Sequence, residues 1–403
     1  MSASAADPRL AGARRAPRRR MRFAWSDPRL RQIVWQVVIF GVLGLIVWYL
    51  AANTGRNLAA RHIATGFGFL VQPASIPIGE TLLPWTPSVD TYGRAMLIGV
   101  LNTLKVAVVG VILATIWGTL IGVGRLSTNW LIARLAAIYV ETLRDVPVLL
   151  QLLFWYTLLS ALPGPRQAIH PLPGVFLSNR GIKVPALSWQ PADGWVLLAL
   201  ALGIVATLLW RRHAARRQAA TGRRPPVWPV VMALIVALPA IVWAALGAPF
   251  ALDIPALRGF NFRGGGTITP EYAALTIGLV VYTASYIAEI VRSGIQAVPQ
   301  GQWEAAAALG LHRGFVLRRV VLPQALRVIV PPMTSQYLNL IKNSSLAIAI
   351  GYQDIVSITG TALNQTGQSI ECIALVMVVY LCFSLSISLF MNWYNAHIAL
   401  VER

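Results

Sequence analysis

Gly301-Gln-Trp-Glu-Ala-Ala-Ala-Ala-Leu-Gly310, with the run that follows it, Leu311-His-Arg-Gly-Phe-Val-Leu-Arg-Arg-Val-Val321-Leu322-Pro323, decides how this chain is read. The alanines favour helix, and Gly310 stands where a C-terminal glycine ends one. A second, basic helix follows until Pro323 limits it. The stretch is a helix-turn-helix whose small side chains let another surface approach closely and whose glycine permits a sharp exit. An ordinary amphipathic surface hairpin would have the same composition. The surroundings separate the two readings.

Long apolar runs lie on both sides. The chain has 403 residues, 56% of them hydrophobic and 12% charged, with mean hydropathy +0.63. That is more apolar side chain than a water-soluble core uses, and it excludes disorder and a disulfide scaffold. A bilayer core takes about 20 apolar residues per helix. Eight runs meet or approach that length. Five are nearly free of charge in the middle: Ile33 to Ala52, Ala95 to Gly124, Trp228 to Gly247, Tyr272 to Val298 and Ile373 to Trp393. Trp195 to Trp210 is short but wholly apolar. Leu131 to Leu162 carries Glu141, Arg144 and Asp145 before Pro147, which predicts an amphipathic piece followed by a span from Val146. The eighth, Ile329 to Ile350, contains Lys342 and Asn343.

The charge then assigns sides. Lys and Arg number 34 against 14 Asp and Glu, a net charge of +20. Inside loops of membrane proteins carry the excess of Lys and Arg. With the N-terminus inside, 22 of the basic residues fall on inside segments, eight on outside loops and four within spans. Residues 1–32 form a basic inside segment, 33–52 the first span, 53–94 an outside loop, and 394–403 an inside tail. The hairpin, residues 299–327, lies inside. A signal peptide does not fit the first run, because the basic region before it is too long. A nucleic-acid arm lacks interleaved aromatics apart from Phe23 and Trp25, so nucleic acid is not an expected partner. Cys372 and Cys382 are ten positions apart in one apolar run, and His62, His170, His213, His312 and His397 are scattered, so neither disulfide nor metal chemistry is indicated. Lys105, Lys183 and Lys342 follow Leu104, Ile182 and Ile341, so no phosphate-binding GxxxxGK[ST] loop exists.

The hairpin's spacing is more specific than its composition: Glu304-Ala305-Ala306, three residues, Gly310, nine residues, Val320, one residue, Leu322-Pro323. It resembles the EAA loop of the membrane subunits of bacterial ABC importers, EAA-x3-G-x9-I-x-L-P, with Val320 in place of Ile. By that resemblance Glu304 to Leu309 form a coupling helix that docks into a cleft of an ATP-binding subunit, with Glu304, Ala305, Ala306, Gly310, Leu322 and Pro323 as the coupling residues. Glu141-Thr142-Leu143-Arg144-Asp145-Val146-Pro147-Val148-Leu149-Leu150-Gln151 looks like the E-T-x-R-x-x-P-x-L-x-Q signature of polar amino-acid permeases (the His/Glu/Gln/Arg/opine family), with Asp145 where Asn or Gly is frequent. Leu340-Ile341-Lys342-Asn343-Ser344-Ser345-Leu346 resembles their K-N-[ST]-S-L segment.

The resemblance covers about Tyr92 to Tyr394. The extra first span, Gly66-Phe67-Gly68-Phe69 and an insertion at 163–270 carrying two spans are similar to the general L-amino-acid permease subgroup. The resemblance implies an all-α integral membrane protein of about eight transmembrane helices: a type I ABC importer permease core at 95–393, with an extra N-terminal helix and an inserted helix pair. It further implies a multi-pass bacterial inner-membrane protein embedded in lipid, with both termini cytoplasmic. It would translocate L-amino acids delivered by a periplasmic binding protein, beside a second, similar permease in a heterodimer; the sequence itself leaves homodimeric and heterodimeric pores open. This chain would bind no cofactor, ATP and Mg being used by the partner ATPase.

Charges at membrane depth pair or face a cavity. Glu141, Arg144 and Asp145 have helical spacing for mutual pairing, as do Glu289 and Arg292. They read either as neutralised pairs that fix helix packing or, with Gln151, as groups that line or gate the path. Lys342, Asn343, Ser344 and Ser345 offer an ammonium, an amide and two hydroxyls, a set able to hold an amino acid, or else to bond between helices. Lys105 stands alone in its span and is expected to snorkel to the outer interface. The competing function is an ion-coupled secondary amino-acid transporter, which predicts an inverted repeat and short broken helices at matching positions of two halves; the sequence shows neither. The sparse acids do not supply the converging groups of a membrane enzyme.

Overall fold

The structure, a computed structural model, describes residues 28–60, 65–188, 190, 193–223, 225–247 and 251–398. Residues 1–27 of the basic N-terminal segment, residues 399–403 of the tail, Arg61 and Arg224 lie outside the described residues. The chain divides into two units, Met1–Thr65 and Gly66–Arg403. The first holds α1 (Pro28–Ala60), 33 residues or about 50 Å of helix. Trp35, Phe40 and Trp48 are exposed along it, the outward apolar surface that a lipid-facing helix presents.

The second unit is built on two long helices, α2 (Tyr92–Gly124) and α8 (Pro270–Gln296). Each opens on a threonine cap: Thr91 accepts from Arg94 N–H, and Thr269 accepts from Tyr272 N–H with Pro270 in the first turn. The two helices run in the same direction, because their N-terminal ends meet through Glu80 and their C-terminal ends through Arg125 and Glu289. Gly118 and Gly122, one Gly-x-x-x-Gly step, make the close approach possible. A Cβ on Gly118 would lie 2.7 Å from Ile287 Cβ, and one on Gly122 would lie 2.6 Å from the Ala288 carbonyl oxygen.

α3 (Trp130–Asp145) is broken from α4 (Val148–Ser160) at Val146-Pro147, as the proline predicts. Gln151 spans the break: its amide donates to the carbonyls of Leu143 (2.8 Å) and Val146 (3.0 Å). α4 has 13 residues, about 20 Å, shorter than a bilayer core of roughly 30 Å.

Between α4 and α8 the chain adds two things. One is a helical hairpin: α5 (Asp193–Thr221) packs against Trp228–Ala245, which is α6 (Trp228–Met232), a π turn and α7 (Leu238–Ala245). Gly203 permits this contact, since a Cβ there would sit 2.1 Å from the Leu234 carbonyl oxygen. α5 continues past the apolar run to Thr221, so Arg211, Arg212, Arg216 and Arg217 lie on helix rather than in a loop. Their alanine and arginine neighbours are strong helix formers.

The other addition is a small antiparallel layer. β1 (Ile169–Leu172), β2 (Val175–Ser178), β3 (Gly181–Val184) and β8 (Gly266–Ile268) form one sheet in the order β1-β2-β3-β8. β4 (Ala186–Ser188) pairs with β5 (Ala251–Asp253), and β6 (Ala256–Arg258) with β7 (Asn261–Arg263). The segments before and after the helical hairpin therefore fold on each other, and the layer hands the chain to α8 through β8.

α9 (Gln300–Ala308) leads to α10 (Arg313–Val316), a π turn at Leu317–Val321 and α11 (Leu322–Asn343). A 3-10 turn, Ser344–Ile350, ends at Gly351 with φ +78°, and α12 (Ile355–Thr366) departs at 52° to the preceding helix. Asp354 caps α12 by accepting from Ser357 N–H at 2.8 Å. α13 (Ser369–Ile398) closes the fold. The span predicted to end at Ile350 is thus one arm of a bent pair, whereas the break at Pro147 falls where the sequence predicts it. Among the described residues, six helices are long and apolar enough to cross a membrane; the bent pair adds a seventh. Together with the shorter α4 they account for the eight predicted runs. The main core gathers Leu152, Leu275, Leu279, Ile287 and Leu340, and a second core beneath the 66–91 segment gathers Ile76, Tyr92, Ile355 and Ile358.

Candidate functional site

The hairpin forms as the sequence predicts at its first helix. α9 ends in a paired C-terminal motif: Gly310 N–H donates to Ala307 O (2.9 Å) and Leu311 N–H to Ala306 O (3.2 Å), with Gly310 at φ +67°. Of the three residues that open the motif, Ala306 is buried beside Trp303 and Val316, whereas Glu304 and Ala305 are exposed. The outward side carries bare apolar groups, Leu309 at 77% and Phe315 at 52% exposure. A cleft of about 370 Å³ opens between the two arms, lined by Gln300, Trp303, Glu304, Ala307, Leu311 and Val316. Small side chains, a cleft and uncovered apolar residues at one tip are the makings of a protein interface.

The second arm differs from expectation. Pro323 does not limit it; residues 313–343 run on as one helix through the π turn. The π turn widens the backbone by one residue just before Pro323, where the missing N–H would otherwise leave a carbonyl facing the ring. The Gln324 side-chain amide donates to Val320 O at 3.0 Å in the same turn. Leu322 is exposed and Pro323 half-buried at this junction.

At the C-terminal ends of α2 and α8 lies a charged cluster. Glu289 is paired with Arg292 on its own helix and with Arg125, which caps the end of α2. A cavity of about 460 Å³ is lined by Arg125, Val140, Glu141, Arg144, Asp145, Tyr286 and Glu289. The predicted mutual pairing of Glu141, Arg144 and Asp145 is corrected here. Among the described residues the ion pairs of this cluster are those of Glu289, and the Arg144 guanidinium lies 4.9 Å over the Tyr286 ring instead. Arg144, in the last turn of α3, faces an aromatic surface on α8, and an arginine over a ring is held without a carboxylate. Arg125 stands directly after the glycine that ends α2, which is the one sequence signal of its capping role. Gln151, grouped by sequence with these charges, is 5% exposed and spends its amide protons on the α3–α4 break.

The Lys342 set does not converge. Lys342 is exposed, Ser344 is buried, and both serine hydroxyls donate to their own backbone: Ser344 to Ile341 O (2.7 Å) and Ser345 to Lys342 O (2.6 Å). Asn343 is half-buried where α11 tightens into the 3-10 turn. The segment serves the geometry of the bend.

Sequence reasoning missed the cluster at the N-terminal ends of α2 and α8. Lys105, expected to stand alone, is paired with Glu80 and lies 4.0 Å over the Tyr272 ring. Glu80 also accepts from the Thr269 hydroxyl at 2.7 Å. Asn102, 1% exposed, donates to Glu80 O (3.0 Å) and Gln353 O (2.9 Å), and Gly79 N–H donates to Gln353 Oε1 (2.6 Å). An acid 25 residues before the lysine, in an irregular segment, falls outside any local periodicity.

Residues 225–400 match the family described as binding-protein-dependent transport system inner membrane component. The chain is 51% identical over 384 residues to the general L-amino acid transport system permease protein AapQ of Rhizobium johnstonii, covering 95% of this chain and 96% of that protein. It is 49% identical over 385 residues to the putative amino-acid ABC transporter permease protein YhdX of Escherichia coli K12, covering 94% and 97%. It is 43% identical over 412 residues to the glutamate/glutamine/aspartate/asparagine transport system permease protein BztB of Rhodobacter capsulatus, covering 94% and 96%.

Proposed function

Because this chain belongs to the binding-protein-dependent transport system inner membrane component family, we propose that it is the permease subunit of an ABC importer for L-amino acids. The chain is the membrane component, and hydrolysis of ATP with Mg falls to a separate subunit. A soluble binding protein delivers the substrate, and a second, similar permease completes the pore as a heterodimer. The α9 hairpin, Arg125 and both chain ends face the cytoplasm; the β layer and the N-terminal ends of α2 and α8 face the periplasm.

The observation that carries this reading is the hairpin: a short helix with Glu304, Ala305 and Leu309 open to a partner, ended sharply at Gly310 and joined to an unbroken helix over residues 313–343. Force applied to α9 has a rigid route inward. Ala306 and Trp303 seat α9 on the core, and α11 packs along both α8 and α13. A displacement of the tip therefore moves helices on both sides of the molecule without local unfolding. Tyr139, whose hydroxyl donates to Val281 O at 2.8 Å, ties α3 to α8, so α3 follows that movement.

The test is purification of the tagged protein in mild detergent with identification of what accompanies it, followed by uptake in proteoliposomes. An ATP-binding subunit is expected in the complex, and uptake should require ATP. Recovery without any such partner, with gradient-driven uptake that survives ATP depletion, would replace this reading with the ion-coupled one.

A further inference from the structure

The Glu80 cluster lies at the opposite end of α8 from the α9 hairpin. It is also more elaborate than an anchor for an irregular segment requires. Both carboxylate oxygens are held by groups on the two main helices: Oε1 by the Lys105 ammonium of α2, Oε2 by the hydroxyl of Thr269, the cap of α8. α8 is 27 residues long, and the partial positive charge at its N-terminus adds to the preference for an anion. Lys105 is held a second time by the Tyr272 face 4.0 Å away, so the ammonium keeps its place whether or not Glu80 is present. Tyr272 is itself backed by Tyr352, ring centroids 5.8 Å apart.

Glu80 differs from these partners in kind. It lies in the irregular segment between Pro73 and Thr91, where Asn102 donates to the Glu80 carbonyl and Gln353 accepts from Gly79 N–H and donates to the Pro77 carbonyl. One more atom of the cluster is unused: Asn102 Oδ1 is buried with no hydrogen-bond partner, one helical turn from Lys105. An ammonium and a hydroxyl that together bind a carboxylate are the complement of an amino acid's α-carboxylate. The side chains of Lys105 and Glu80 are 25% and 13% exposed, so the pair is accessible and not sealed in the core.

We propose that Lys105, Thr269 and the face of Tyr272 form a carboxylate-binding station at the N-terminal ends of α2 and α8, that Glu80 fills it as a tethered stand-in for the α-carboxylate of an amino acid, and that the arriving amino acid displaces Glu80. The inference rests on the amino-acid permease reading above. Displacement exchanges one carboxylate for another at Lys105 and releases Glu80 from Thr269, so arrival of substrate loosens a contact that joins α2 to α8, while buried Ile76 and the Pro73–Thr91 bridge keep the rest of the segment in place. A ligand that carries a carboxylate accomplishes the exchange without leaving the ammonium bare.

The experiment uses the whole complex, with ATP-binding subunit, companion permease and binding protein, reconstituted in liposomes and supplied with a labelled mixture of proteinogenic L-amino acids. Lys105→Gln should lower uptake roughly tenfold or more, the loss of one charge-assisted hydrogen bond to a carboxylate. Glu80→Gln removes the competing charge and should raise uptake at sub-saturating binding protein. The exchange of both, Glu80→Lys with Lys105→Glu, rebuilds the ion pair and should co-purify with the ATP-binding subunit at the wild-type level, yet it should transport as poorly as Lys105→Gln. If the pair merely anchors the segment, Lys105→Gln and Glu80→Gln lower uptake together and the exchanged pair restores it; either result overturns the station. Failure of the wild-type complex to import any amino acid would instead overturn the functional reading itself.

Discussion

Gly310 shows how a single backbone angle sets the result of a substitution. Its φ is +67°, and a Cβ placed there would meet nothing within 4 Å, so the penalty for alanine is the intrinsic strain of the left-handed region, about 1–2 kcal/mol, and not a clash. Proline is a different case. It removes the N–H that donates to Ala307 O and forces φ to about −65°, which re-aims the chain between α9 and α10. Gly310→Pro should leave membrane insertion unchanged by immunoblot and abolish ATP-dependent uptake, while Gly310→Ala should retain most of it. Glu289 presents the opposite problem, a charge with two partners. Glu289→Gln leaves Arg125 and Arg292 unpaired and should destabilise by about 2 kcal/mol, the low end for a partly exposed site. Adding Arg125→Gln should recover part of that loss, because an unpaired charge costs more than an absent pair. Thermal unfolding of the purified variants in detergent checks the order; a double variant less stable than Glu289→Gln alone would contradict it. The glycine was legible from its spacing. The Arg125 partnership was not, because it joins positions 164 apart, and a single sequence reports only local periodicity.

Among the elements, what the sequence conveyed depended on whether the signal was local. Pro147 broke α3 from α4 where its missing N–H predicts a break, yet Pro323 and the pair Pro331-Pro332 did not break α11. For Pro323 the difference lies in what precedes it. Around Pro323 a π turn makes room for the ring, and its formation depends on packing against α9 and the core, which hydropathy does not encode. The small β layer was invisible for a similar reason: strands of three or four residues carry too few positions to show alternation. The glycine step on α2 was present in the sequence as Gly118 and Gly122 but acquires meaning only when α8 is laid against it. Gly118→Leu would drive a side chain into Ile287 and the Ala284 carbonyl, 2.8 Å from the new Cβ, and a backbone oxygen in mid-helix has nowhere to go. A loss of about 3 kcal/mol or more is expected, read as a lower melting temperature and poor recovery of folded protein. Gly194→Leu, whose Cβ would meet nothing within 4 Å, is the matched control on α5 and should behave as wild type.

Over the whole molecule, the +20 charge and the direction of the helices constrain the same quantity. Charge counting orients the chain from loop composition alone, and the contacts at Glu80 and at Arg125 independently require α2 and α8 to run in the same direction. Two parallel spanning helices need an odd number of crossings between them: α4 supplies one, and α5 with the Trp228–Ala245 arm makes a complete excursion across the membrane and back. That arrangement places the β layer on one side, and the arginines at the end of α5 and the α9 hairpin on the other. Single cysteines test it directly. In a background with Cys372→Ser and Cys382→Ser, Asn179→Cys in the turn between β2 and β3 should react with a membrane-impermeant maleimide in intact spheroplasts. Arg217→Cys near the end of α5 and His312→Cys beside Gly310 should react only after permeabilisation. All three positions are exposed on the isolated chain, and the same variants labelled after purification of this chain without its partners give the full-reaction reference that separates sidedness from cover by a partner. Labelling of His312→Cys from outside would place the hairpin away from any cytoplasmic ATPase and undo the coupling route through α9. Labelling of Arg217→Cys alone from outside would leave that route intact and mean that α5 does not cross, so that the inserted hairpin stays on the side of the β layer.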